Sequence, residues 1–201
     1  PARIAAARSL LEHTDCDIII SDDGMQHYAI HRDLEIAVVD GVRRFGNGYC
    51  LPAGPLREPI NRLATVDMVV VNGIAGRNEF SMNLKGERIS RIDKPHIAQP
   101  LKALSGCQVH AVAGIGNPKR FFDQLRGSGL VVIEHPMPDH HPFQAEDICF
   151  DDDLPVIMTE KDAVKCQRFV DERHWVLPVS AVLDEVFTHR LKLLLKGIKN
   201  G

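Results

Sequence analysis

Short apolar runs rich in β-branched residues recur along the chain, and stretches with helical spacing separate several of them. Runs of this length and composition are typical of buried strands, whereas apolar residues repeated every three or four positions indicate helices. Strands that alternate with helices predict an α/β fold with largely parallel sheets. The predicted strands lie at 16–20, 36–39, 68–71, 109–113, 130–133, 155–158 and 175–179.

Helical patterns stand at both ends of the chain and after two of the predicted strands. Residues 2–13 predict a first helix, and the apolar spacing across 186–198 predicts a last helix that buries one face on a sheet. Asn117 followed by Pro118 is typical of a helix start, because proline suits the first helical position. Thr159, three residues before Asp162, likewise fits a capping box.

The apolar runs become sparse in the middle of the chain, where several glycines and prolines interrupt them. We therefore expect two α/β lobes with a boundary in this region. The predicted division is a first lobe at 1–75, a connector at 76–105 with short strands near 88–92 and 96–101, and a smaller second lobe of Rossmann-like pattern at 106–201.

Composition and charge exclude several classes of protein. The 201 residues carry a formal net charge of -3 with a pI near 6.4, which gives no electrostatic reason to expect nucleic acid as a partner. The five cysteines form no C-x-x-C pair, so neither a disulfide framework nor a zinc ribbon is indicated, and a reducing, cytoplasmic compartment fits best. No apolar run reaches the roughly 18 residues of a membrane span.

Polar side chains follow three predicted strands of the first lobe: Asp22 and Asp23, then Asp40, then Asn72. Ligands of open parallel sheets bind at the carboxyl ends of the strands, so we expect these residues to share one edge. Adjacent carboxylates there suit Mg²⁺, which prefers oxygen ligands. Asp-Asp-Gly is equally ordinary turn chemistry, so the motif alone leaves both interpretations open.

A proline-rich segment, 51–59, predicts a stiff loop that presents Arg57 and Glu58. The arginine suits a phosphate and the glutamate suits a metal ion, but a surface ion pair on a rigid turn explains both residues too. Asn47, between two glycines, fits either a close backbone approach to a ligand or a tight turn.

Taken together, these motifs and their order resemble the tetraacyldisaccharide 4'-kinase family, the ATP-dependent kinases of lipid A assembly. The resemblance covers nearly the whole chain. It is carried by Ser21-Asp22-Asp23-Gly24-Met25-Gln26-His27, Arg32-Asp33, Asp40-Gly41, Arg44-Phe45-Gly46-Asn47-Gly48, Leu51 to Pro59, Arg62-Leu63, Val66-Asp67, Val112 to Pro118, Arg120-Phe121-Phe122, Asp139-His140, Met158 to Cys166, Trp175 and Leu177-Pro178-Val179.

The resemblance implies a P-loop NTPase-like first lobe, ATP and Mg²⁺ as cofactors, and a lipid-linked disaccharide as phosphate acceptor. It implies a catalytic role for Asp23 and for His140, which would assist a carboxylate base. It also implies metal contacts and acceptor contacts. The implied metal residues are Asp22, Asp23 and Glu58, and the implied substrate residues are Gln26, His27, Asn47 and Arg57.

The 201 residues contain no G-x-x-x-x-G-K-[ST] motif, whose backbone amides and lysine would hold the phosphates of ATP. The chain also begins with Pro1 rather than Met. We therefore expect a fragment that is inactive alone. The resemblance implies that the P-loop, the base and a membrane-associating segment lie upstream. The resemblance places the whole kinase peripherally on the cytoplasmic face of the bacterial inner membrane and this fragment alone in solution.

Two other classes remain as alternatives. Asp139-His140-His141 with an upstream acidic pair is weakly similar to Asp-His-His phosphoesterases, which use two metal ions. A binding remnant that never transfers phosphate is the non-enzymatic alternative. NAD is not expected, because Lys119 occupies the third glycine position of a dinucleotide fingerprint. Lys161 is held only as a candidate phosphate contact.

Overall fold

A computed structural model describes residues 3–199, which form two compact units. Within that range unit 1 contains residues 3–83 and 182–199, and unit 2 contains residues 84–181. In chain order the elements are α1 (Arg3–His13), β1 (Ile36–Asp40), β2 (Met68–Asn72), β3 (Phe80–Lys85), β4 (Arg88–Arg91), β5 (Ala98–Pro100), β6 (Gln108–Ala113), α2 (Pro118–Gly127), β7 (Val131–Pro136), β8 (Val156–Thr159), α3 (Glu160–Cys166), β9 (His174–Leu177), β10 (Ser180–Leu183) and α4 (Glu185–Lys199).

Unit 1 is organised around a four-stranded sheet in the order β1-β2-β3-β10. β1 and β3 both run parallel to β2, which is the most buried of these strands. Met68 and Val70 of β2 are buried with Phe187 of α4, and the ring of Phe187 meets Phe80 edge-on at 5.5 Å. The last helix of the chain therefore packs on the first sheet.

Unit 2 contains a six-stranded sheet in the order β5-β4-β9-β8-β6-β7. The four strands from β9 to β7 are parallel, whereas β4 pairs antiparallel with both β5 and β9. β6 is central, and its residues from Val109 onward are buried. α2 buries Phe121, Phe122 and Leu125 on one face, as its three-and-four spacing requires. The predicted α/β class with largely parallel sheets is confirmed.

The predicted helices are present, and their starts follow local chemistry. Pro118 is the first residue of α2 after Asn117, and the Thr159 hydroxyl accepts a hydrogen bond from the Asp162 amide at the start of α3. The first predicted helix corresponds to α1, with Ala2 outside the described residues. Across residues 3–199 we find no helix with both the length and the apolar content needed to traverse a bilayer.

The strand predicted at 16–20 is wrong, because this stretch is irregular. Ile18 and Ile19 are exposed, and Ile20 is 90% exposed. A parallel strand exists only through hydrogen bonds to a neighbour, and no strand in the described part of the chain pairs with this one. Apolar, β-branched composition therefore favoured a strand that the pairing does not provide.

The division into lobes also differs from the predicted one. The stretch 76–105 is not a separate connector, because its strands β4 and β5 join the second sheet and Ile89 is fully buried there. Residues 182–199 belong to unit 1 rather than to the second lobe. Helical spacing shows that α4 has an apolar face, but not which sheet that face covers.

Candidate active site

The polar ends of β1 and β2 lie side by side, as predicted. Asp40 and Asn72 are register partners, and the Gly41 amide donates to the Asn72 carbonyl at 3.1 Å. Asp22 and Asp23 do not follow a third strand, so the expected edge of three strand ends is only partly formed. Their contacts lead instead to residues of other loops and of α1.

Asp22 and Asp23 form an exposed acidic turn, with Asp23 in the left-handed region at a φ of 49°. From α1, the Arg3 guanidinium donates to the Ser21 hydroxyl at 3.3 Å and to the carbonyls of both aspartates at 3.2 Å. A guanidinium shared by three acceptors fixes the backbone of the turn, which leaves the two carboxylates pointing to solvent-accessible positions.

Arg57 from the rigid loop is paired with Asp23, 34 residues earlier in the chain. Its Nη1 lies 2.7 Å from each carboxylate oxygen. This contact lowers the pKa of Asp23 and raises the pKa of Arg57. The pair is more than half exposed, so solvent screens it, and its main effect is to keep the Asp23 carboxylate ionised.

Glu58 does not join this pair but contacts two other side chains, Tyr28 and Arg62. Its Oε1 accepts a hydrogen bond from the Tyr28 hydroxyl at 2.6 Å, and its Oε2 lies 3.3 Å from Arg62 Nε. The side chain is only 15% exposed. These contacts favour a structural role for Glu58 over the predicted metal contact.

Mg²⁺ was predicted on Asp22, Asp23 and Glu58, and the arrangement does not make a self-contained metal site. Asp23 is bound by Arg57, and Glu58 by Tyr28 and Arg62. Nowhere between residues 3 and 199 do three histidine, cysteine, aspartate or glutamate side chains gather into a metal-binding group. The metal roles of Asp22, Asp23 and Glu58 stay predictions.

The predicted substrate residues divide into exposed side chains and one that shapes a loop. Gln26 and His27 are exposed beside the acidic turn, with the His27 amide donating to the Gly24 carbonyl. Asn47 donates to the Ala53 carbonyl at 2.9 Å, and its side-chain oxygen accepts from the Tyr49 amide. Asn47 therefore ties its turn to the proline-rich loop, and substrate contact by these three residues stays a prediction.

A glycine makes that junction possible. A Cβ at Gly54 would lie 2.1 Å from the Asn47 side-chain oxygen and 2.3 Å from the Tyr49 carbonyl oxygen. No side chain fits at such distances, so this close approach requires glycine. The two loops that flank the carboxyl end of β1 are thereby locked together.

His140 lies in unit 2, on a turn with a φ of 62°. The ring is largely exposed, and Nε2 lies 3.8 Å from Asp139. Lys161 Nζ pairs with Asp139 at 3.1 Å and lowers the pKa of that carboxyl. His141 is instead paired with Asp147, with its Nε2 2.9 Å from Oδ2. The catalytic role of His140 and the phosphate contact of Lys161 stay predictions.

Unit 2 also has an apolar crevice at the point where its strand order reverses. β6 connects outward to β7, while β8 returns on the other side of β6, and open α/β sheets bind ligands between two such strands. The cavity has a volume of about 260 Å³. Its lining comprises Leu84, Ile115, Asn117, Arg120, Phe121, Gln124, Thr159, Glu160, Lys161, Leu177 and Val179.

A second cluster in unit 2 joins two histidines that sequence reasoning did not single out. His110 Nδ1 lies 2.8 Å from His135 Nε2, and His110 Nε2 lies 3.0 Å from Asp152. Phe150 stacks on both rings. Burial and the nearby His110 lower the pKa of His135. β7, which carries His135, continues into the segment that holds His140.

We expect the free energy of unfolding to fall as the pH drops from 7.5 to 5.5. Because the folded-state pKa of His135 is lowered, the unfolded state binds the proton first, so stability is lost below the unfolded value of about 6.5. Urea titrations at several pH values across this range measure the slope of the free energy of unfolding against pH. His135→Gln should make it shallower, while the exposed control His31→Gln should not. Equal slopes for the three proteins would contradict the assignment.

Several residues around the site were given no role from the sequence. Arg3 was part of a helical stretch without a role, and Tyr28, Arg32, Glu35 and Arg62 carried no chemical interpretation. Their importance depends largely on distant partners, because Arg3, Tyr28 and Arg62 have partners 18 to 30 positions away in the sequence. Only the three-dimensional contacts bring them to the acidic turn.

Fold and contacts define an α/β protein of two units with largely parallel sheets and an arginine-clamped acidic turn. The chain belongs to the tetraacyldisaccharide-1-P 4'-kinase (LpxK) family, whose model matches residues 1–196. A tetraacyldisaccharide 4'-kinase of Nitrosococcus oceani is 53% identical over 98% of this chain and 58% of the relative. That of Hahella chejuensis is 46% identical over 100% of this chain and 60% of the relative.

A solved structure shows the same architecture. The crystal structure of the "apo" form of LpxK from Aquifex aeolicus in complex with ATP matches with a TM-score of 0.73 and 27% identity. The match covers 98% of this chain and 62% of that chain. The chain thus spans about 60% of the length of the relatives it matches.

Proposed function

We propose that this chain forms part of an ATP-dependent kinase that phosphorylates the 4'-hydroxyl of a tetraacyldisaccharide 1-phosphate. The observation that carries the proposal is the Asp23–Arg57 pair, held on two rigid loops within the matched region. The guanidinium keeps Asp23 ionised and leaves it accessible to a hydroxyl acceptor. In this proposal Arg57 also stabilises the charge that develops on the transferring phosphoryl group.

The remaining roles are proposed on the same basis. Gln26 and His27 lie beside the acidic turn and would contact the sugar, and His140 would assist the carboxylate base. ATP is the proposed phosphate donor, supported by the ATP complex of the Aquifex aeolicus relative. The apolar crevice of unit 2 is our candidate for the binding site of the nucleoside of ATP. Because the proposed acceptor is lipid-linked, we place the whole kinase at the cytoplasmic face of the inner membrane.

The Asp-His-His phosphoesterase alternative is not favoured. That chemistry needs several aspartates and histidines around two metal ions, and the described residues form no such cluster. His141, which the motif would require as a ligand, is occupied by Asp147.

The proposal is tested with a hybrid kinase, in which residues 1–196 replace the matched region of the Nitrosococcus oceani enzyme. We expect the hybrid kinase to transfer the γ-phosphate of radiolabelled ATP to tetraacyldisaccharide 1-phosphate. The 201-residue chain alone should transfer none, because it has no P-loop lysine or amides for the phosphates. A hybrid that folds by circular dichroism but does not transfer phosphate would overturn the proposed function.

A further inference from the structure

Four charged side chains behind the acidic turn form a continuous series of ion pairs, which we call the ion chain: Arg32, Glu35, Arg62 and Glu58. Arg32 Nε lies 2.7 Å from Glu35, Arg62 Nη2 lies 2.8 and 2.7 Å from the two Glu35 oxygens, and Arg62 Nε lies 3.3 Å from Glu58. All four side chains are less than a quarter exposed. Such pairs are screened far less than surface pairs.

One end of the ion chain holds the acidic turn. Arg32 Nη1 donates to the carbonyls of Gly24, Met25 and His27 at 2.9, 3.2 and 3.4 Å. Its Nε is used by Glu35 at the same time. Only a planar guanidinium with several fixed donors can make both sets of contacts, and a lysine ammonium cannot.

The other end holds the proline-rich loop. Glu58 is the neighbour of Arg57, and its two oxygens are taken by Arg62 and by the Tyr28 hydroxyl. Tyr28 lies five residues after Asp23, and the Arg32 guanidinium lies 5.8 Å from its ring, so the Glu58 end of the ion chain also contacts the segment that follows the acidic turn. The ion chain is also anchored to the first sheet, because the Glu35 amide donates to Asp67 and the Glu35 carbonyl accepts from the Met68 amide of β2.

We propose that the ion chain sets the position of Asp23 relative to Arg57, so that Arg32 and Arg62 are positioning residues of the kinase. Asp23 and Arg57 sit on two exposed loops, and their own pair is too solvated to fix both. The partly buried ion chain supplies that rigidity from behind. This inference rests on the proposed function for its catalytic consequence, but its structural content is independent of it.

The activity test uses Arg32→Lys and Arg62→Lys in the hybrid kinase, with the exposed Arg77→Lys as the matched control. The two substitutions in the ion chain keep the positive charge and lose the planar set of guanidinium donors. We expect kcat to fall about tenfold with the KM for ATP changed less than about twofold, since a displaced group of this kind acts on the transition state. Arg77→Lys should leave both constants unchanged.

A double substitution distinguishes positioning from general loosening. If Arg32 acts through Asp23, Arg32→Lys should lower kcat no further in an Asp23→Ala background. A full tenfold further loss there, or a kcat within twofold of the unsubstituted hybrid for both lysine variants, would overturn the proposal.

A second measurement needs no activity and separates this inference from the proposed function. Amide hydrogen exchange of the 201-residue chain should be about tenfold faster at residues 24–30 in Arg32→Lys, because the turn amides of His27 and Ile30 lose their support. Unchanged exchange would overturn the positioning role even if the hybrid kinase were active. An inactive unsubstituted hybrid with faster exchange in the variant would overturn the proposed function alone.

Discussion

Replacing Arg57 with methionine in the hybrid kinase is expected to lower kcat by about 100-fold or more, the loss typical of removing one charge-stabilising donor from a reacting centre. Methionine keeps much of the aliphatic stem, so the loop should stay folded. Its thioether cannot hold Asp23, whose carboxylate loses both 2.7 Å contacts. Steady-state kinetics with saturating ATP measure the effect.

Two comparisons give this prediction its specificity. Arg57→Lys restores the charge without the planar donor geometry and should recover only part of the activity. Arg77→Met, on an exposed residue of the same unit, should remain within about twofold of the unsubstituted hybrid. An Arg57→Met enzyme as active as Arg77→Met would show that the Asp23–Arg57 pair has no part in turnover.

The double variant Asp23→Ala with Arg57→Met tests whether the two residues act as one unit. Groups that work together in catalysis are strongly non-additive, so the double variant should lose little more than the poorer single variant. Multiplication of the two single losses would instead mean that each residue contacts the reaction independently.

The sequence predicted the strands that are apolar, buried runs, but it missed β3 and β10, which bury no residue completely. β2, β6 and β8 are buried runs between neighbours on both sides, and their composition alone indicated them. The run at 16–20 has the same composition but no pairing partner in the described chain. The local pattern shows that a segment is able to form a strand. Whether the strand forms depends on a neighbouring strand, which the local pattern does not include.

The candidate site follows the same rule. Asp22, Asp23, Arg57 and Glu58 were found from motifs, because their residue types suggest chemistry. Their pairing was not, since Arg57 binds Asp23 across 34 positions and Glu58 turns to Tyr28 across 30. Two adjacent residues with opposite charges therefore have different partners, which no rule of sequence spacing would show.

The largest stability effect is expected at Asp162, a fully buried carboxylate that fastens the crevice of unit 2. Its Oδ2 accepts from the Gly114 amide at 2.9 Å and from the Thr159 hydroxyl at 2.7 Å, which ties the end of β6 to the end of β8. Lys165 balances the charge at 3.2 Å from Oδ1. Removing one member of a buried charged network typically costs about 3–5 kcal/mol.

Asp162→Ala should therefore lower the free energy of unfolding by about 3–5 kcal/mol, because the buried Gly114 amide and the partly buried Thr159 hydroxyl lose their acceptor. Urea denaturation should show a lower midpoint with an unchanged slope. Asp123→Ala is the matched control, since that carboxylate pairs with Lys119 at the surface and should cost less than about 1 kcal/mol. Equal losses would mean that the strand ends are held by packing alone, whereas a large loss only at Asp162 would identify a single carboxylate as the link that shapes the crevice.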